Sequence, residues 1–245
     1  MWTEGKVIER IDWNDELFSL RIKADITPFI AGQFIKLSEL REGKRVARAY
    51  SLVNPPDTDY LEVLAIKVEH GLLSPNLHQL SVGDAIDVSS SAAGFMVLDE
   101  VPEGKHLWLI GTGTGIGPYF SMLETAQAWQ RFEKIALVYG VRKIKDIAYK
   151  DLIDKYQAEH PTQFQFQAMV TREDCAGALK SRIPEALANG SLEQGLGLTL
   201  SAEHSQVIMC GNPEMITDAQ VILEQKGLKK NLRRKPGQVT VERYW

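Results

Sequence analysis

Short runs of β-branched and aromatic residues, broken by Gly, Pro, Asn and Asp, fill the first hundred residues of the chain. Residues 7–11, 17–22, 34–37, 46–52, 61–68 and 85–88 read as strands, with breaks at Pro28, Gly32, Gly43, Asn54-Pro55-Pro56 and Gly83-Asp84. Strands at this spacing predict a closed antiparallel β-barrel. One segment, residues 74–80, reads differently: Ser74 as an N-cap and Pro75 at the first helical position predict a short helix.

The pattern changes across the polar stretch 99–104. Beyond it, apolar strands at 106–110, 135–140, 164–170 and 207–210 alternate with helices. These helices are predicted through residue 130 and over 151–158, 184–188 and 213–225, and a last strand at 239–241. That order predicts a Rossmann-like α/β domain, a parallel sheet with helices on both faces. The expected division is therefore a barrel over 1–100 and an α/β domain over 101–245.

Composition narrows the function. Hydrophobic content of 44% and charged content of 24% are ordinary for a globular protein, and a net charge of -4 argues against bulk nucleic-acid binding. The two cysteines, Cys175 and Cys210, make no disulfide framework and are too few for an iron–sulfur cluster. The five histidines are scattered, so no metal site is expected. The N-terminus has no signal-peptide core, and no apolar run is long enough to span a bilayer, so a soluble cytoplasmic monomer is the expectation.

Strand 106–110 runs into Gly111-Thr112-Gly113-Thr114-Gly115-Ile116-Gly117-Pro118. Glycines let backbone N–H groups approach a pyrophosphate closely, and the start of a helix adds a partial positive charge. The spacing is neither G-x-G-x-x-G nor that of a P-loop, so the loop indicates a nucleotide without saying which. Arg142 ends the second α/β strand, Thr171 and Arg172 end the third, and Arg182 precedes a helix. Guanidinium forks suit a ribose 2′-phosphate, which favours NADP over NAD. Ordinary solvated arginines are the alternative, and two acids, Glu173 and Asp174, stand awkwardly beside Arg172.

Arg48-Ala49-Tyr50-Ser51 closes a barrel strand. Arginine can neutralise a diphosphate, a tyrosine ring can stack on a flat heterocycle, and a serine hydroxyl can bond near a flavin nitrogen. Pro28 with Gly32-Gln33-Phe34 precedes this segment. Gly71-Leu72-Leu73-Ser74, the glycine loop and Cys210-Gly211-Asn212-Pro213 follow it, and the chain ends Tyr244-Trp245. In this order the motifs resemble those of the ferredoxin/flavodoxin–NADP(+) reductases of the bacterial, FAD-containing type, over essentially the whole chain. Gly117 stands where an alanine is frequent in that family.

The resemblance implies a flavoprotein that exchanges hydride between NADPH and FAD, and single electrons between FAD and ferredoxin or flavodoxin. Arg48, Ala49, Tyr50 and Ser51 would contact FAD. Leu64, Ile66, Val68, Leu72, Leu73 and Ser74 would hold its ribityl and phosphates. Thr114 would mark the meeting of flavin and nicotinamide sites, and Trp245 would stack on the flavin. Gly113, Gly115, Arg142, Thr171, Arg172, Arg182 and Gly211 would bind NADP(H). Cys210 would sit by the nicotinamide, giving Tyr50, Ser51 and Cys210 as the residues nearest the chemistry. Glu242 reads equally well as a proton relay or as a surface strand residue. The basic run Lys229 to Lys235 is a solvated face or a steering patch for an acidic partner. A reductase for another acceptor, such as an oxygenase component or free flavin, and a non-catalytic flavin-binding regulator are the alternatives.

Overall fold

The computed structural model describes residues 1–243, which form two compact units. One comprises Met1–Val97 with Gly117–Thr125, the other Leu98–Ile116 with the chain from Ala126 on.

The first unit is built on β1 (Trp2–Asp12), β2 (Leu17–Lys23), β3 (Phe34–Arg41), β4 (Lys44–Ser51), β5 (Leu61–Ile66) and β6 (Ala85–Ser89). They form one antiparallel sheet in the order β4-β3-β6-β1-β2-β5. The end strands meet: Leu52, just past β4, bridges Val63 of β5, and Val53 N donates to Glu62 O at 2.9 Å. That junction curls the sheet into the expected barrel and covers its exposed edges. Phe18, Leu20, Ile22, Ile35, Leu37 and Val63 fill it.

A one-turn helix, α1 (Ser74–Leu77), lies against this core through Leu73 and Leu77. Ser74 is not its N-cap. Leu73 occupies that position, and the Ser74 hydroxyl turns back to accept Val68 N–H at 3.0 Å. The helix α2 (Gly117–Leu123) is also part of this unit, where Ser121 Oγ donates to Asn54 O at 2.7 Å.

The second unit holds β7 (His106–Thr112), β8 (Lys134–Val141), β9 (Phe164–Val170), β10 (Ala178–Leu179), β11 (Ser205–Gly211) and β12 (Val239–Arg243). Every neighbouring pair in its sheet, ordered β10-β9-β8-β7-β11-β12, is parallel. Its helices are α3 (Ala126–Arg131), α4 (Lys150–Glu159), α5 (Ile183–Asn189), α6 (Ser191–Leu196) and α7 (Pro213–Gln225). The central strands are buried on both faces, which is why β8 and β11 read as unbroken apolar runs rather than alternating ones. Trp108, Ile110, Val138, Met169, Val207 and Ile216 anchor the core.

The helix expected through residue 130 is broken at Glu124-Thr125. Thr125 Oγ1 donates to Met122 O at 2.7 Å, so the hydroxyl competes with the helical ladder at the break. Among the described residues, no helix is long and apolar enough to cross a membrane.

Candidate functional site

Strand order in the second sheet runs from β7 through β8 to β9 in one direction, then jumps back to β11 and β12 on the other side of β7. Order therefore reverses between β7 and β11. In open parallel sheets the carboxyl ends at such a reversal form the ligand crevice. Both flanking strands end here in glycine motifs: Thr112 leads into the 3₁₀ turn Gly113–Ile116, and Cys210-Gly211 leads through Asn212 into α7.

The two ends are packed backbone to backbone. A Cβ at Gly115 would lie 2.8 Å from Cys210 C and O, and one at Gly211 would lie 2.2 Å from Thr112 Oγ1. Gly211 also holds φ at 123°, outside the range of ordinary side chains. A Cβ at Gly113 would instead meet nothing within 4 Å, so the outer part of the turn faces open space. Asn212 caps α7, its side chain accepting from Glu214 N at 2.8 Å and Met215 N at 3.0 Å. The result is a tight junction of two glycine turns whose outer rim, at Gly113, is open to a ligand.

The arginines cluster at the carboxyl ends of β8 and β9. Val141 and Val170 are register partners, and the ladder continues past both strands: Thr171 N donates to Val141 O at 3.2 Å and Arg172 N to Arg142 O at 2.9 Å. Arg182 sits at the N-cap position of α5. All three guanidinium-bearing residues are exposed, and none has an ion pair among the described residues. The awkward acids are engaged elsewhere: Glu173 Oε1 accepts Ile144 N–H at 2.6 Å, and Asp174 pairs with Lys180 at 2.8 Å.

In the barrel, β4 pairs Arg48 with Leu37, Ala49 with Lys36, Tyr50 with Ile35 and Ser51 with Phe34. Alternation along the strand puts Arg48 and Tyr50 on one face. Arg48 is exposed and Tyr50 half-buried against the barrel core. Burial pushes the Tyr50 phenol up to about 12, a shift the Arg48 charge opposes, so it stays a neutral donor. Ser51 Oγ is buried with no hydrogen-bond partner among the described residues. A neutral polar atom left this way is costly, and a flavin's polar edge would supply what it lacks.

Of the other flavin candidates, Leu64 and Leu73 are buried in the protein, so they can offer a ligand only main-chain groups. Ile66, Val68 and Leu72 are exposed apolar side chains. Gly71 N donates to Val68 O at 2.8 Å, folding the Gly71–Ser74 turn back on the end of β5.

Cys210 is fully buried on β11, facing Gly111 on one side and Glu242 on the other in strand register. Burial, aided by the Glu242 charge, pushes its thiol well above the usual range, so it is a neutral thiol and no nucleophile. Burial also pushes the Glu242 carboxyl up to about 7, so it exchanges a proton near neutrality. Thr114 is half-buried within the 3₁₀ turn. Trp245 lies outside the described residues. Sequence reasoning missed the Thr112–Asn212 link and the turning of Glu173; only the Asn-Pro pair, an N-cap signature, offered a signal for the first.

A flavin motif on an antiparallel barrel, with a glycine-lined reversal in a parallel sheet, defines a flavin- and pyridine-nucleotide-dependent oxidoreductase. Comparison agrees. Residues 6–96 match the oxidoreductase FAD-binding domain, and residues 109–221 match the oxidoreductase NAD-binding domain. A flavodoxin/ferredoxin–NADP reductase of Escherichia coli (strain K12) is 44% identical over 245 residues, 100% of this chain and 99% of the relative. A ferredoxin–NADP reductase of Pseudomonas aeruginosa is 33% identical, covering 99% of this chain and 97% of its own. The crystal structure of a ferredoxin NADP+ reductase from Neisseria gonorrhoeae with bound FAD and NADP superposes with a TM-score of 0.93 at 31% identity. That match covers 100% of this chain and 99% of the other. The chain belongs to the flavodoxin/ferredoxin–NADP reductase family.

Proposed function

We propose that this chain is an FAD-dependent reductase that moves hydride between NADPH and FAD and single electrons between FAD and a ferredoxin or flavodoxin in the cytoplasm. The functional division follows the sequence, 1–100 for FAD and 101–245 for NADPH. The observation that carries the reading is the reversal point between β7 and β11, where two glycine motifs pack so closely that a Cβ at Gly115 would lie 2.8 Å from Cys210, while Arg142 and Arg172 just past β8 and β9 and Arg182 at the start of α5 stay uncommitted.

FAD, when bound, supplies the redox chemistry by accepting a hydride and releasing electrons one at a time. The residues of the chain bind and orient. Arg48 neutralises diphosphate charge, Tyr50 offers a ring face, and Ser51 hydrogen-bonds the flavin edge. Val68 and the Gly71–Ser74 turn offer main-chain groups. Gly113, Gly115 and Gly211 let the nicotinamide dinucleotide approach the backbone. Arg142, Thr171, Arg172 and Arg182 hold its 2′-phosphate. Cys210 keeps a neutral, compact wall at the reversal point. Alignment of donor and acceptor atoms is the main catalytic contribution of the protein in such a reaction.

The basic run supports an acidic protein acceptor. Lys229, Lys230, Arg233, Arg234 and Lys235 are all exposed. The turn that bears them is pinned by paired hydrogen bonds between Leu232 and Lys235, at 3.1 and 2.8 Å. A fixed cationic turn on a protein of net charge -4 is a local steering field. Turnover with NADPH against purified ferredoxin, flavodoxin and free FMN tests the assignment. The protein carriers should be reduced faster, with a rate that falls as salt rises. FMN reduced fastest, with no salt dependence, points to a flavin reductase instead.

A further inference from the structure

The chain between β8 and α4 and the chain between β9 and β10 both carry arginines, and both leave the sheet where regular pairing stops. They do not separate at once. Thr171 N bonds Val141 O at 3.2 Å, and Arg172 N bonds Arg142 O at 2.9 Å, two more main-chain rungs of the parallel ladder. The next rung cannot be main chain, because the β8 side enters a 3₁₀ turn at Ile144–Asp146. The first amides of such a turn have no partner within it. Two carboxylates meet them: Asp146 Oδ2 accepts Lys143 N–H at 3.0 Å, and Glu173 Oε1 accepts Ile144 N–H at 2.6 Å.

We infer that Glu173 is a positioning residue for the 2′-phosphate subsite, latching the Arg142 loop to the Arg172 loop so that both guanidiniums address one phosphate. The inference rests on the assignment of these arginines to NADP made above. An acid at this point in a nucleotide-binding sheet has two other readings. It could accept from the ribose 2′-OH and favour NADH, or it could repel the phosphate. The bond to Ile144 speaks against both, since it spends the carboxylate on a backbone donor and draws its charge toward the 3₁₀ turn. Holding two charged loops in register lowers the conformational entropy lost when phosphate binds, which is where affinity is gained without any new ligand contact.

The experiment is calorimetric titration of the FAD-loaded protein with adenosine 2′,5′-bisphosphate and with 5′-AMP, for wild type, Glu173→Ala and Glu173→Gln. Losing a charge-assisted bond at an open site should weaken bisphosphate binding in Glu173→Ala by about threefold to tenfold. AMP affinity should not move. Glu173→Gln keeps an acceptor for Ile144 N–H and should restore bisphosphate affinity to within about twofold of wild type. Glu173→Ala binding bisphosphate more tightly than wild type overturns the latch and supports repulsion. Glu173→Gln as weak as Glu173→Ala overturns it too, because the acceptor would not be what matters. A loss confined to AMP supports the 2′-OH reading and overturns it as well. If wild type fails to discriminate between the two ligands, the arginine assignment itself falls and the latch with it. Discrimination by wild type with no change in Glu173→Ala removes the latch alone.

Discussion

The hydroxyl of Thr112 accepts the backbone N–H of Asn212 at 2.9 Å, joining the ends of β7 and β11 across the point where the order of the parallel sheet reverses. Residues a hundred positions apart thereby fix the two glycine turns relative to each other. Thr112 also crowds Gly211, which explains why no side chain fits there.

Gly211→Ala should therefore be severe. A Cβ 2.2 Å from Thr112 Oγ1, on a backbone at φ 123°, forces both turns to move. The expected loss is about 2–4 kcal/mol of stability together with most NADP affinity. Gly113→Ala is the comparison: φ is 54° and no atom lies within 4 Å of the new Cβ, so only the left-handed backbone cost of about 1–2 kcal/mol applies. Thermal unfolding and NADP titration of both variants check this. Equal losses would mean that crowding at Gly211 is not the operative constraint.

Ser51→Ala separates stability from ligand binding. The wild-type hydroxyl is buried without a partner, so its removal should leave the FAD-free protein at least as stable. FAD affinity should fall by about fivefold to tenfold, the worth of one hydrogen bond. Chemical denaturation of the FAD-free form and fluorescence titration with FAD measure the two effects. An unchanged dissociation constant takes Ser51 out of the flavin site.

The strands and helices with sustained pattern were legible from residues alone. β9 and α7 fall on the expected boundaries residue for residue, because one alternates Phe and Gln before closing on Ala-Met-Val and the other starts at Asn-Pro. Short or interrupted elements were not. β10 has two residues and no periodicity, and α6 carries Gly195 in its interior. The sequence shows where Ser74, Thr125 and Glu173 lie but not where their oxygens turn. Each bonds main chain, Ser74 and Glu173 accepting from an N–H and Thr125 donating to a carbonyl, and for each that choice decides a local detail of fold or site. The site motifs were readable as a set, while the bond between Thr112 and Asn212 needed the sheet order.

Glu242 makes stability depend on pH in a defined direction. Burial raises its carboxyl from 4.5 to about 7 in the folded chain, so the folded state holds this proton more tightly than the unfolded state. The contribution is complete below about 4.5 and is lost as pH rises through about 7. Wild type should lose stability relative to Glu242→Gln between about pH 5 and pH 8. Urea unfolding of both proteins across that range is the check. Parallel curves would show that Glu242 is not held protonated by the fold.

Arg172→Ala combined with Arg182→Ala should raise the KM for NADPH by about tenfold to a hundredfold and leave that for NADH within about twofold. Steady-state rates with both coenzymes measure it. Equal changes for NADPH and NADH would refute a 2′-phosphate role for these side chains.

The most direct test of the whole account is anaerobic titration of the purified, FAD-loaded protein with NADPH, followed by visible absorbance. The account predicts a yellow protein whose flavin band bleaches with NADPH, and more slowly with NADH. A colourless protein that takes up no FAD, or a flavin band that NADPH leaves intact, would contradict it.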